Sequence, residues 1–292
     1  MSESFRLDDY AVTAIVDKDC FEIDLARMFP TASADAMAAH AWLAPHHYDP
    51  TARRIRLGMH SFLIRTGTLN ILVDMCVGEH KERPAHPAWH RQTGSRFLPG
   101  LAAAGLTPDD IDLVFCTHLH ADHVGWNTRL VDGRWVPTFP RARYAVSAQE
   151  LAFWQAEQAA SPQPVNHGAF LDSVLPIVEA GLTMPVAPGD RLDGGLAFVD
   201  LAGHTPGHMG LEIVRPGARA LFCGDAIHSP VQLPYPDWSS AFCDDAQASA
   251  RTRRAMLERT ADEGVLLCPA HFRHARWTRI RRAGNGFAVA DL

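Results

Sequence analysis

The chain has 292 residues, with 33 acidic side chains against 27 Lys or Arg, a formal charge of −6. Hydrophobic residues make up 47% and charged residues 21%, the balance of a globular chain rather than a disordered one. The acidic balance speaks against a nucleic-acid partner, and no apolar run reaches the ~18 residues that a membrane span needs.

The first residues carry scattered acids rather than the basic start and apolar stretch of a signal peptide, so the expectation is a cytoplasmic protein. The six cysteines show no C-x-x-C spacing, and Cys116, Cys223 and Cys268 fall in apolar strand-like runs, where a thiol serves as a small core side chain. Residues 1–53 mix Ala-rich text with Pro30, Pro45, Pro50 and the pair His46, His47, and read as an irregular leader or covering segment. Residues 54–292 read as one domain.

Within that domain RIRLGMHSFLIRTG and TLNILVD predict two strands with a turn at Thr66 and Gly67, leaving Asp74 at a strand end. A polar loop rich in His and Pro follows. FLPGLAAAGL predicts a short helix stopped by Gly105. IDLVFC predicts a buried strand that runs directly into THLHADHVG. RYAV predicts a strand, and Ser147 with Glu150 a capping box for the helix through Trp154. HGAFLDSVLPIVEAG predicts a helix interrupted near Pro176. LAFVDLA, GLEIVR and ALFCGD predict three strands in succession. DDAQASARTRRAMLERTADEG predicts the longest helix, closed by Gly264, and VLLCPAHF a last strand. Strands come in two groups, each followed by helix, so the pattern predicts an α/β domain with two sheets.

Chemistry concentrates at strand ends. His118, His120, Asp122 and His123 lie within six residues, directly after a buried strand. His nitrogen and Asp oxygen are good ligands for zinc and its neighbours. His118 and His120, two apart, reach one ion from an extended turn, while Asp122 and His123 lie past a bend and serve a second. Three more strand ends present ligands: His204 in AFVDLAGHTPGH, Asp225 in LFCGDAIH and His271 in VLLCPAHF. A serine-hydrolase reading has no support, because no G-x-S-x-G elbow occurs.

These motifs resemble the metallo-β-lactamase superfamily, whose signature is H-x-H-x-D-H followed by a separate His, an Asp and a final His. The resemblance covers about residues 54 to 275 and implies a four-layer αββα sandwich with two divalent metal ions at one edge. Carried over by motif position, His118, His120 and His204 hold one ion, Asp122, His123 and His271 the other, and Asp225 bridges them. Asp74 matches the family's strand-end Asp that supports the ligands, and His208 is read as packing or support behind them. The all-His/Asp set suits zinc, with manganese, iron or cobalt as alternatives. Such a pair shares a water and makes it hydroxide near neutral pH, the expected nucleophile, with Asp122 orienting it.

DHVGWN, RYAVSAQELAFW, GHTPGH and GDAIH together are similar to the branch that holds methyl parathion hydrolase and quorum-quenching lactonases. Acyl-homoserine lactonases carry Tyr three residues after the bridging Asp, where this chain has His228, the residue read as touching the substrate oxygen or leaving group. Trp126, directly after the metal loop, is read as a pocket wall. The resemblance implies a lactonase or esterase with side activity on phosphotriesters, acting on a small molecule, and a homodimer as in many relatives of the branch. The alternatives are a β-lactamase or a thioesterase of glyoxalase II type, the latter kept open by the Arg-rich stretch from Arg276 to Arg282, and a non-enzymatic metal-binding protein.

Overall fold

The segment expected to be an irregular leader instead opens with two paired strands. The computed structural model describes residues 3–290; residues 1, 2, 291 and 292 lie outside the described residues. β1 (Ser4–Leu7) pairs antiparallel with β2 (Tyr10–Asp24), Leu7 opposite Tyr10. Tyr10, Val12 and Ala14 alternate inward, as in a half-buried strand. The burial then changes parity at Ala14 and Ile15, and the next buried residue is Asp17, so no simple alternation shows in the sequence. That carboxylate is satisfied by the Ser95 hydroxyl and the Val77 N–H. Asp24 then accepts from the N–H groups of Ala26 and Arg27 and caps α1 (Leu25–Met28). Ser33 caps α2 (Ala34–Ala38) in the same way. β3 (Tyr48–Asp49) pairs with the start of β4 (Arg54–Arg65).

The described residues divide into two compact units, residues 3–18 with 59–187 and residues 19–58 with 188–290. In the first, β4 pairs antiparallel with β5 (Asn70–Val73). β5 pairs parallel with β6 (Leu113–Cys116). The ILV and LVFC runs are buried throughout, the property of strands covered on both faces. α3 (Phe97–Ala103) lies between β5 and β6; between β6 and the next sheet strand come the single turn α4 (Ala121–Val124) and the hairpin of β7 (Thr128–Val131) and β8 (Arg134–Pro137). β9 (Arg143–Ser147) pairs parallel with β6 and with β10 (Thr183–Val186).

Ser147 does cap α5 (Ala148–Ala160), its hydroxyl accepting the Glu150 N–H at 3.3 Å. The reciprocal half of the expected capping box is absent, because the Glu150 carboxylate is used elsewhere. The interrupted helix is a π-helical turn, Phe170–Val174, followed by α6 (Leu175–Glu179) with Pro176 in its first turn, where a missing N–H costs nothing.

The second unit orders β11 (Arg191–Leu192), β12 (Leu196–Asp200), β13 (Met209–Arg215), β14 (Ala218–Gly224) and β15 (Leu266–Pro269) side by side. Only the last pairing is parallel, and its register shifts between Phe222 and Gly224, directly before Asp225. α7 (Ala246–Glu263) is capped by Asp245 and ended by Gly264 in the left-handed region (φ 63°), as its sequence predicts. Its buried Met256 and Leu257 pack with Leu221, Cys223, Leu267 and Phe272. A hairpin of β16 (Ile280–Ala283) and β17 (Gly286–Val289) closes the chain.

Candidate metal centre

Parallel neighbours end together, so β5 and β6 release Asp74 and Thr117 side by side. Asp74 enters the left-handed region (φ 60°) and its N–H donates to the Phe115 carbonyl at 2.9 Å. Its Oδ1 accepts the Thr117 N–H at 2.9 Å, and its Oδ2 lies 3.0 Å from His123 Nδ1. A carboxylate on Nδ1 fixes the tautomer and leaves Nε2 as the ligating atom. Thr117 Oγ1 lies 3.2 Å from His118 Nδ1 and selects Nε2 of that ring likewise.

The loop bearing the motif is pinned to the loop after β5. Met75 donates to the His123 carbonyl, Gly125 to that of Cys76 and Trp126 to that of Met75. Gly125 is required here: a Cβ would stand 2.0 Å from the Val77 carbonyl group. Glu150, fully buried, accepts the Leu119 N–H at 3.1 Å and the Trp154 indole N–H at 2.8 Å, while Asn166 donates to the Leu119 carbonyl at 2.6 Å. Leu119 is thus held from both sides, which sets the flanking His118 and His120. The ligand atoms of His118 and His120 lie within 4.8 Å of one another, as do those of Asp122 and His123.

In the second unit Asp225 is the hub. Its Oδ2 lies 3.3 Å from His204 Nε2 and 3.1 Å from His228 Nε2; its Oδ1 lies 3.0 Å from His271 Nε2. All four side chains are nearly fully buried. Burial pushes the His204 imidazole down, but the Asp225 carboxylate and the Cys243 thiol outweigh it and lift the group to about 9. Burial pushes His228 down to about 4, with Asp225 opposing. His271 Nδ1 meets the Gly58 carbonyl at 2.9 Å and His204 Nδ1 meets Cys243 Sγ at 3.4 Å, so both rings present Nε2. His208 sits behind: its Nδ1 is 2.9 Å from the Leu201 carbonyl and its Nε2 accepts the Asp225 N–H at 3.2 Å. It holds the backbone of the hub residue.

A divalent ion fits this donor set. Tetrahedral zinc with bonds of about 2 Å separates its ligand atoms by roughly 3.3 Å, the spacing between Asp225 and His204. The set is all imidazole and carboxylate, chemistry suited to zinc and the neighbouring first-row metals.

Trp126 departs from its expected role. Its ring is buried, stacks on Phe97 with centroids 5.6 Å apart, and donates to the Ser95 hydroxyl at 3.2 Å. That packing commits it to the interior of the first unit. Two arginines of the Arg-rich stretch are in ion pairs, Arg276 with Asp19 and Arg282 with Asp262. Thr117, Glu150, Gly58 and Cys243 went unsingled in the sequence as site residues. Of these only Glu150 stood in a recognisable pattern, and that pattern pointed to a helix cap.

Residues 56–271 match the family model of the metallo-beta-lactamase superfamily, and the chain belongs to that superfamily and has its fold. Among curated proteins it is 26% identical over 191 residues to a probable metallo-hydrolase of Mycobacterium tuberculosis, covering 60% of this chain and 58% of that one. It is 31% identical over 132 residues to the hydroxyacylglutathione hydrolase of Aeromonas salmonicida, covering 45% of this chain and 38% of that one. The chain thus spans little more than half the length of the curated relatives it matches, or less. Two solved structures share the fold over 99% of this chain and 96% of theirs: AidC, a dizinc quorum-quenching lactonase (TM-score 0.79, 20% identity), and the hydrolase AbOPH (TM-score 0.80, 24% identity). No helix of the described residues is long and apolar enough to cross a membrane.

Proposed function

We propose that this protein is a dinuclear hydrolase that opens lactones or cleaves carboxylic esters of small molecules. The observation that carries the reading is the split carboxylate of Asp225, one oxygen toward His204 and the other toward His271. That is the disposition of a bridge between two ions. In this reading His118, His120 and His204 hold one ion, Asp122, His123 and His271 the second, and Asp225 joins both. Zinc is the metal proposed, as in the dizinc lactonase AidC.

Two bound ions would bring a shared water to hydroxide near neutral pH and polarise the scissile carbonyl. The protein supplies orientation and proton handling. Asp74, Thr117, Gly58 and His208 fix ring tautomers and the Asp225 backbone before substrate arrives, so no reorganisation is needed during reaction. Asp122 orients the attacking oxygen. His228 donates Nε2–H to Asp225, and its buried Nδ1 has no hydrogen-bond partner among the described residues. Nδ1, left as an acceptor, is the atom we assign to the substrate side: it takes the proton of the attacking oxygen and returns it to the departing alkoxide.

The glyoxalase II relatives favour a second reading, thioester hydrolysis on the same site. Against it, two arginines of the Arg-rich stretch, Arg276 and Arg282, are engaged with Asp19 and Asp262 rather than left for an anionic thioester. All six cysteines are free, which supports work in a reducing compartment such as the cytoplasm. The net charge supports a substrate other than nucleic acid.

Acid release by zinc-reconstituted protein tests the choice, on acyl-homoserine lactones, simple lactones, an aryl ester, a phosphotriester, a glutathione thioester and a β-lactam. Chelator-sensitive turnover led by lactones or esters is the expected result. Turnover confined to the thioester or lactam would replace the lactonase reading.

A further inference from the structure

We propose that Cys243 is a positioning residue for His204, holding its Nδ1 so that Nε2 faces the cation; this rests on the dinuclear reading above. Cys243 Sγ lies 3.4 Å from His204 Nδ1, while Nε2 of the same ring faces Asp225. With Nε2 committed to the ligand side, the ring proton resides on Nδ1 and the sulfur accepts it. The thiol proton passes the chain on, donating to Ser249 Oγ at 3.3 Å. Ser249 Oγ also accepts from Arg253 Nη2 at 2.9 Å.

Arg253 anchors the relay. It is fully buried on α7, and its other arms donate to the carbonyls of Ala226 at 2.8 Å and Pro236 at 2.6 Å. One guanidinium therefore ties the residue after Asp225 and, through Ser249 and Cys243, the ring of His204. Two ligands of the second unit are referenced to one helix.

The near end is equally constrained. Asp244 donates to the His204 carbonyl at 2.9 Å and Asp245 to that of Gly203 at 3.1 Å. Gly203 has φ +130°, and a Cβ there would lie 2.4 Å from the Ser249 nitrogen. The first turn of α7 is thus pressed directly on the turn that carries His204, and the sulfur is delivered to Nδ1 by backbone geometry. The site needs an acceptor at this point, and sulfur supplies one that a methyl group does not.

The test compares wild type, Cys243→Ala, Cys243→Ser and Ser249→Ala. Zinc affinity is read by competition with a chromogenic chelator, the cobalt-substituted proteins are read by visible absorption, and the metal-free proteins by thermal midpoint. The expected result is an affinity loss of about 10–100-fold in Cys243→Ala with a shifted cobalt band. Cys243→Ser, whose hydroxyl accepts from Nδ1, recovers most of the loss, and Ser249→Ala shows a smaller one. Metal-free midpoints stay together. Unchanged affinity in Cys243→Ala, or equal losses in the Ala and Ser variants, would overturn the proposal while wild type still binds two ions. A wild type that binds no divalent ion would overturn the dinuclear reading with it.

Discussion

His228 Nε2 lies 3.1 Å from Asp225 Oδ2, and the two side chains are buried together, three residues apart after the end of β14. The shift in register between Phe222 and Gly224 re-aims the chain there, so that both side chains turn to one side. His228 is therefore oriented by the same carboxylate that His204 and His271 face.

Replacing His228 by Phe is predicted to keep the bound metal and to lower kcat by about 10²–10⁴, the usual range for a proton-handling group. KM should move less than kcat. Steady-state kinetics with metal analysis of the same preparation checks this; lost metal with unchanged kcat per ion would assign His228 to the metal scaffold alone.

Asp225→Ala removes the shared carboxylate. The expected outcome is fewer than two ions per chain and turnover reduced by at least about 100-fold, because the bridging ligand serves both ions at once. His120→Ala, by comparison, is expected to weaken one ion and also abolish turnover. Metal counting on both variants separates them.

Gly125→Ala places a methyl group on the Val77 carbonyl, a backbone contact that no rotamer relieves. We expect a loss of about 2–3 kcal/mol or more in stability. Metal affinity should fall too, since His123 and Gly125 share the loop that Met75 and Cys76 pin. Denaturant unfolding of the metal-free and metal-loaded forms measures both effects.

Lys81 gives a pH dependence distant from the metal ligands. Its ammonium is fully enclosed, 2.6 Å from Thr128 Oγ1, 3.6 Å from the centre of the Trp135 ring and 3.7 Å from Asp172 Oδ1. Burial drives it down from 10.5 to about 7, opposed by Asp172 and reinforced by Arg83. Between about pH 7 and 10.5 the unfolded chain binds the proton more readily than the native one, so stability rises with pH across that window and the gain is lost as pH falls toward 7. Lys81→Met should remove that rise. Urea midpoints of both proteins at pH 7, 8 and 9 would show parallel trends if Lys81 did not contribute.

Asp172 faces two buried cations, pairing with Arg83 at 2.6 Å and 2.9 Å and lying near Lys81. Asp172→Ala leaves both cations uncompensated and is expected to cost about 3–5 kcal/mol. A change below about 1 kcal/mol in the same unfolding assay would contradict that.

The ligand-bearing strand ends were legible in the sequence because apolar runs such as LVFC stop abruptly at His and Asp. The N-terminal strands were not, because the buried positions of β2 change parity after Ala14 and include Asp17, which only its tertiary partners Ser95 and Val77 explain. The supports behind the ligands were equally hidden. Thr117, Gly58 and Cys243 act through atoms brought together by the fold, at separations that no local spacing encodes. Trp126 reads as a pocket wall by its place next to the motif, yet Phe97 claims its ring. Adjacency in the chain did not set where that side chain packs.

The most direct measurement is the number of metal ions bound per chain, counted by elemental analysis of zinc-reconstituted protein while lactone turnover is followed through chelation and re-addition. Two ions per chain, loss of turnover on chelation and its return as the second ion is restored are the expected result. A single ion with full activity, or turnover untouched by the chelator, would contradict it.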